Sequence, residues 1–142
     1  MPQSPSPRFG NVPRRRFQPD APSSLRRSVL CALDGLRYAF ATQRNVRIQL
    51  LVGAAAILLA ALLRLPSHQL ALIVVLVALV LFAELMNTSI ESTLDHHAGS
   101  AFDPSVKLIK DMAAAAVLVA SVGAVALGTT IFLPALALRF SR

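Results

Sequence analysis

An all-α integral membrane protein is predicted from this sequence, with one amphipathic surface helix ahead of three membrane-spanning helices. Three observations predict it. Hydrophobic residues make up 55% of the 142 residues and only 15% are charged, a balance that a soluble domain of this size does not need. Three long apolar stretches, at about 48–63, 70–83 and 112–133, follow a basic N-terminal third. The segment just before the first of them alternates apolar and arginine-bearing faces with a helical period. By length the chain is one domain.

The elements follow in order. Residues 1–22 hold six prolines and four arginines with almost no apolar clustering, the composition of a disordered basic arm. They are not a secretory signal, because the first long apolar run starts only at Ile48. Such an arm either holds the chain against an anionic leaflet or is a passive tail. Residues 23–142 form the membrane-embedded domain. Ser23 or Ser24 is suited to cap a helix over 23–42. Leu25, Val29, Leu33, Leu36 and Phe40 fall within about 80° of one another on its wheel, with Arg26, Arg27, Asp34 and Arg37 on the other side. A helix of this kind is expected to lie in the membrane interface, or to pack against other protein. The single Cys31 excludes an internal disulfide, supplies no metal motif and is expected to be a small buried hydrophobe.

The first span is expected over about 48–63, ended by Arg64-Leu65-Pro66. The second runs from about Leu70 into a polar motif at Glu84, and the third covers about 112–133 and ends at Pro134. Nine of the fourteen basic residues precede the first span, while the connection after it holds only Arg64. The positive-inside rule then puts the N-terminus in the cytoplasm of a multi-pass membrane protein. A loop over 91–111, carrying Lys107 and Lys110, returns to the cytoplasm and the C-terminus lies outside, with Arg139 and Arg142 against the rule. Ala116, Ala120, Ala124 and Gly128 recur every four residues, which lets helices approach closely. Three spans make a thin bundle, so a homo-oligomer is expected. The net charge of +7 suits anionic lipid headgroups better than nucleic acid.

Chemistry concentrates where the second apolar run ends. Taking Glu84 as zero at about 100° per residue, Asn87 lies near −60°, Thr88 near +40°, Glu91 near −20° and Asp95 near +20°. All five occupy one narrow helix face over roughly 16 Å of rise. Ionisable groups at membrane depth are costly, which makes this face a candidate functional site, against the plainer reading of a helix end solvated at the interface. The chain has no Walker loop, no protein-kinase signature and no Cys/His cluster. His96 and His97 are adjacent and point about 100° apart, a poor chelating pair. Clustered carboxylates can hold Mg²⁺ together with phosphate oxygens, a carboxylate can accept the proton of an attacking hydroxyl, and Lys107 and Lys110 can neutralise phosphates. The residues alone point to an anionic site that handles a cation, a proton or a phosphate.

The stretch Glu84-Leu-Met-Asn87-Thr88-Ser89-Ile90-Glu91, followed by Leu94-Asp95, resembles the signature of the prokaryotic diacylglycerol kinase family, which includes the undecaprenol kinases. Leu94 stands where valine is usual. Gly35-Leu36-Arg37-Tyr38, Arg44-Asn45-x-Arg47-Ile48 and Pro104-x-x-Lys107-x-x-Lys110-Asp111 extend the resemblance over roughly residues 24–133. It implies a trimeric membrane lipid kinase that takes the γ-phosphoryl group of Mg·ATP to a lipid hydroxyl, with diacylglycerol or undecaprenol as acceptor. The Arg-Asn-x-Arg-Ile stretch looks more like the undecaprenol type. Carried over by resemblance, Glu84 is the general base toward the lipid hydroxyl and Asn87 orients the base or the phosphoryl group. Glu91 binds the metal that bridges the ATP phosphates. Lys110 and Asp111 contact the nucleotide, Asp95 supports that site, and Arg47 lies near the lipid or phosphate entry.

Two positions depart from the family pattern. Gln43 stands where the family has a glutamate as second metal ligand; its amide oxygen can coordinate Mg²⁺ but brings no charge, with Asp34 the nearest substitute. Ala114 stands where some relatives have serine. The competing function is a non-catalytic membrane protein, lipid-binding or assembly-forming, descended from such a kinase. Gln43 favours it; the retained Glu84, Asn87, Glu91, Lys110 and Asp111 oppose it.

Overall fold

The computed structural model describes residues 25–98 and 103–141. Within them the elements are α1 (Leu25–Thr42), α2 (Arg44–Leu62), α3 (Ser67–Ala98) and α4 (Pro104–Phe140). The last three are long and apolar enough to cross a membrane, so the chain has the expected all-α membrane architecture. The N-terminal arm and the expected Ser23 or Ser24 cap lie outside the described residues.

The apolar stripe of α1, Leu25 to Phe40, stays 44–82% exposed, and Ala39 is its buried residue. The stripe is therefore not covered by the other described elements of the chain. Cys31 is exposed, not buried as expected. Most of α1 has no protein layer over it, so a small hydrophobe midway along has nothing to be buried against. The helix stops at Gln43, whose extended backbone (φ −102°, ψ 114°) turns the chain into α2. Backbone bonding continues on both sides of this bend: the Gln43 N–H donates to Ala39 O at 2.8 Å and the Arg47 N–H to Gln43 O at 3.4 Å.

The connection between α2 and α3 is short because its backbone groups are satisfied locally. The Arg64 N–H donates to Ala61 O (3.0 Å) and the Leu65 N–H to Ala60 O (3.1 Å), the paired bonds of a Schellman motif. Arg64 takes the left-handed conformation this motif requires, with φ 53°. Pro66 then bars further helix, and its carbonyl accepts from the Gln69 and Leu70 N–H groups as α3 begins. Where α2 and α3 cross, Gly53 is buried and a Cβ there would lie 2.6 Å from Val77 Cγ1. Only glycine allows this approach without Val77 shifting.

Two expected boundaries are corrected. The loop expected over 91–111 is helical over most of its length, with α3 reaching Ala98 and α4 starting at Pro104. Its charges do not oppose helix, since Lys107 and Asp111 pair one turn apart, and Asp103 caps α4 by accepting from the Ser105 N–H at 2.8 Å. The third span does not end at Pro134, which sits inside α4. Proline removes one backbone donor, but an apolar chain in hydrocarbon must keep its remaining peptide groups bonded internally, so the helix carries on.

Candidate active site

Because α3 is unbroken to Ala98, the polar motif remains one helical face, graded in burial. Glu84, Asn87 and Thr88 are buried, with Glu84 only 3% exposed; Glu91 is half-buried and Asp95 exposed. The face therefore runs from inside the bundle out toward its rim. Exposure rises as the distance from the apolar run grows.

The buried end is tied to α2. Gln49 Nε2 donates to Glu84 Oε2 at 3.0 Å. One turn along, Asn87 Nδ2 donates to Glu91 Oε1 at 3.2 Å. Each amide thus gives a proton to one of the two glutamates, and each keeps its carbonyl oxygen, Gln49 Oε1 and Asn87 Oδ1, buried without a partner. At the exposed end the Lys110 ammonium bonds Asp95 across α3 and α4, and Lys107 pairs with Asp111 on α4. Both lysines expected to meet phosphates are engaged by carboxylates in this state.

The other expected residues fall as follows. Gln43 is half-buried at the bend and makes no side-chain cap bond. From the Gln49–Glu84 contact, six residues back along α2 and seven forward along α3 rise by similar amounts, about 9 and 10 Å. Gln43 is thereby brought to about the level of Glu91 on the neighbouring helix. Arg47 is exposed on the first turns of α2. Asp34 is exposed and paired with Arg37 at 3.5 Å on α1, so it is already engaged away from the motif. Among the described residues no three His, Cys, Asp or Glu side chains cluster to hold a metal. What the site could offer a hard cation is the Glu91 carboxylate, held on one oxygen by Asn87, for an ion such as Mg²⁺ that takes most of its ligands from phosphates and water.

Beside this face an apolar groove of about 460 Å³ runs between α2, α3 and α4, with Gln49 and Ile48 at one end and Phe132 and Leu133 at the other. Ala124 and Gly128, from the four-residue series of small residues on α4, line it. Gln49 was missed in the sequence reading. A signal for it existed: it is the one polar side chain in the apolar run 48–63.

The sequence profile of the prokaryotic diacylglycerol kinase family matches residues 30–132. The chain belongs to that family. A diacylglycerol kinase of Synechocystis sp. is 43% identical over 105 residues, which cover 74% of this chain and 60% of the relative. The chain thus spans about 60% of the length of the curated relative it matches. The family match takes in α2 and α3 whole, most of α1 and α4, and with them every candidate residue from Gln43 to Asp111.

Proposed function

We propose that this family member is a lipid kinase of the bacterial cell membrane, transferring the γ-phosphoryl group of Mg·ATP to the hydroxyl of diacylglycerol or undecaprenol. The observation that carries the reading is the graded face of α3: a buried carboxylate beside an apolar groove at one end, and lysine–carboxylate pairs at the exposed end. A lipid hydroxyl and a nucleotide can approach such a face from opposite ends.

In this reading Glu84 accepts the hydroxyl proton as the lipid oxygen attacks the γ-phosphorus, and the bond to the leaving ADP oxygen breaks. Asn87 holds Glu91 through the bond to its Oε1 and so orients it toward the phosphoryl group. Glu91 is the residue that would hold Mg²⁺, with Gln43 a neutral contributor at a similar level. When bound, the metal neutralises charge on the phosphates. Lys110 and Asp111 contact the nucleotide, Asp95 surrenders Lys110 to it, and Arg47 stands at the lipid or phosphate entry. Transfer of ³²P from ATP to diacylglycerol and to undecaprenol, each in mixed micelles with purified protein, tests the reading. Label is expected in at least one lipid. No transfer to either would favour the non-catalytic lipid-binding or assembly protein, which the uncharged Gln43 supports.

The same reading assigns the N-terminus to the cytoplasm, supported by the basic residues ahead of α2, and a homotrimeric assembly. A stripe on α3, Leu72, Val75, Leu79, Phe82 and Met86, is 39–61% exposed and spaced alternately by three and four, as helix seams are. Reporter fusions at the two ends and the mass of the detergent-solubilised protein check both assignments. Termini on one side of the membrane would overturn the first, and a monomer the second.

A further inference from the structure

We propose that Gln49 is a positioning residue for Glu84, fixing the carboxylate that receives the acceptor's proton. The inference rests on the reading of Glu84 as the base. Its own warrant is geometric. Gln49 Nε2 reaches Glu84 Oε2 at 3.0 Å across 35 residues of sequence, and it is the one side-chain hydrogen bond recorded for Glu84 among the described residues. A buried glutamate has three side-chain torsions to settle, and a single donor on one oxygen decides which way the other oxygen faces. The donor comes from a different helix, so the orientation of the base is set by how α2 packs on α3, at the level just inside the close Gly53–Val77 approach.

The plainer reading makes Gln49 an ordinary structural amide that links two helices. Two observations count against it. An amide kept for stability has both ends satisfied, yet Gln49 Oε1 is fully buried with no partner. Gln49 also lines the end of the apolar groove nearest Glu84, so it stands between the base and the space open to a lipid chain.

The test is a double-mutant cycle of Gln49→Met with Glu84→Gln, read by ³²P transfer to lipid. Methionine keeps length and volume and removes the donor. In the wild-type background Gln49→Met is expected to lower kcat by about 10- to 100-fold, the scale of a misplaced catalytic group, with KM for ATP within about twofold of wild type. In the Glu84→Gln background the same change is expected to cost less than about twofold, because the group it positions is gone. Should Glu84→Gln fall below detection, Glu84→Asp, one methylene short of Gln49, takes its place in the cycle. Equal losses in both backgrounds, or none in wild type, would overturn the positioning role while leaving Glu84 as base. Full turnover of Glu84→Gln would overturn the base assignment itself, a separate result.

Discussion

Replacing Glu84 with glutamine is expected to lower turnover by a factor on the order of 10² to 10⁴ while fold and ATP binding persist, the usual worth of a general base. Size and burial are kept, since the amide replaces one oxygen of a side chain only 3% exposed. What disappears is the capacity to take a proton. The bond from Gln49 Nε2 can also persist, because the new amide retains one carbonyl oxygen to accept it. Loss of activity would then report chemistry and not collapse of the α2–α3 contact. Steady-state transfer of ³²P to lipid, with ATP binding measured separately, checks the expectation. Turnover close to wild type would remove Glu84 from the role.

Glu91→Ala is expected to abolish transfer, whereas Gln43→Ala has a smaller effect. The asymmetry follows from charge. Glu91 is the carboxylate assigned to the metal, and removing it leaves only the neutral Gln43 amide to hold a doubly charged ion. Gln43, half-buried at the α1–α2 bend, has at most a neutral oxygen to lose. Restoring charge should act in the opposite sense: Gln43→Glu is expected to lower the Mg²⁺ concentration that gives half-maximal rate. A magnesium titration at fixed ATP of wild type and Gln43→Glu decides it. An unchanged or raised requirement would mean that residue 43 does not serve the metal. Asp34 is then a poor substitute, given its exposed pairing with Arg37.

Much of this protein is legible in its sequence because hydrocarbon imposes a simple rule: peptide groups bond within long apolar helices. The runs at 70–83 and 112–133 lie inside α3 and α4, the run at 48–63 lies inside α2 but for its last residue, Leu63, and the helical spacing of Glu84, Asn87, Thr88, Glu91 and Asp95 survives because α3 does not break there. Boundaries were less legible. Pro134 carries a strong local stop signal, yet the apolar residues around it make stopping costlier than one lost bond. The charges of 91–111 look like loop until Lys107 and Asp111 are set one turn apart. Gln49 escaped for a different reason. Its partner is 35 residues away, and the register that joins them comes from the packing of α2 on α3, which no local pattern encodes. Cys31 shows the converse: residue type suggested burial, and the absence of a covering layer over α1 decided otherwise.

The tight turn between α2 and α3 bears on how the protein enters its membrane. Only four residues separate Leu62 from Ser67, and among them Arg64 alone is charged. In the proposed orientation this turn is what must be carried through the bilayer when the two helices insert as a hairpin. Its backbone is already bonded by the Schellman pair, so few bare peptide groups make the passage. The guanidinium of Arg64 is the main barrier, about 3 kcal/mol at the bilayer centre on an insertion scale. On the same scale the Leu, Ile, Val and Phe residues of the two flanking apolar runs contribute roughly −6 to −12 kcal/mol, which outweighs that cost. A longer or more polar connection at this place would raise the cost of that passage.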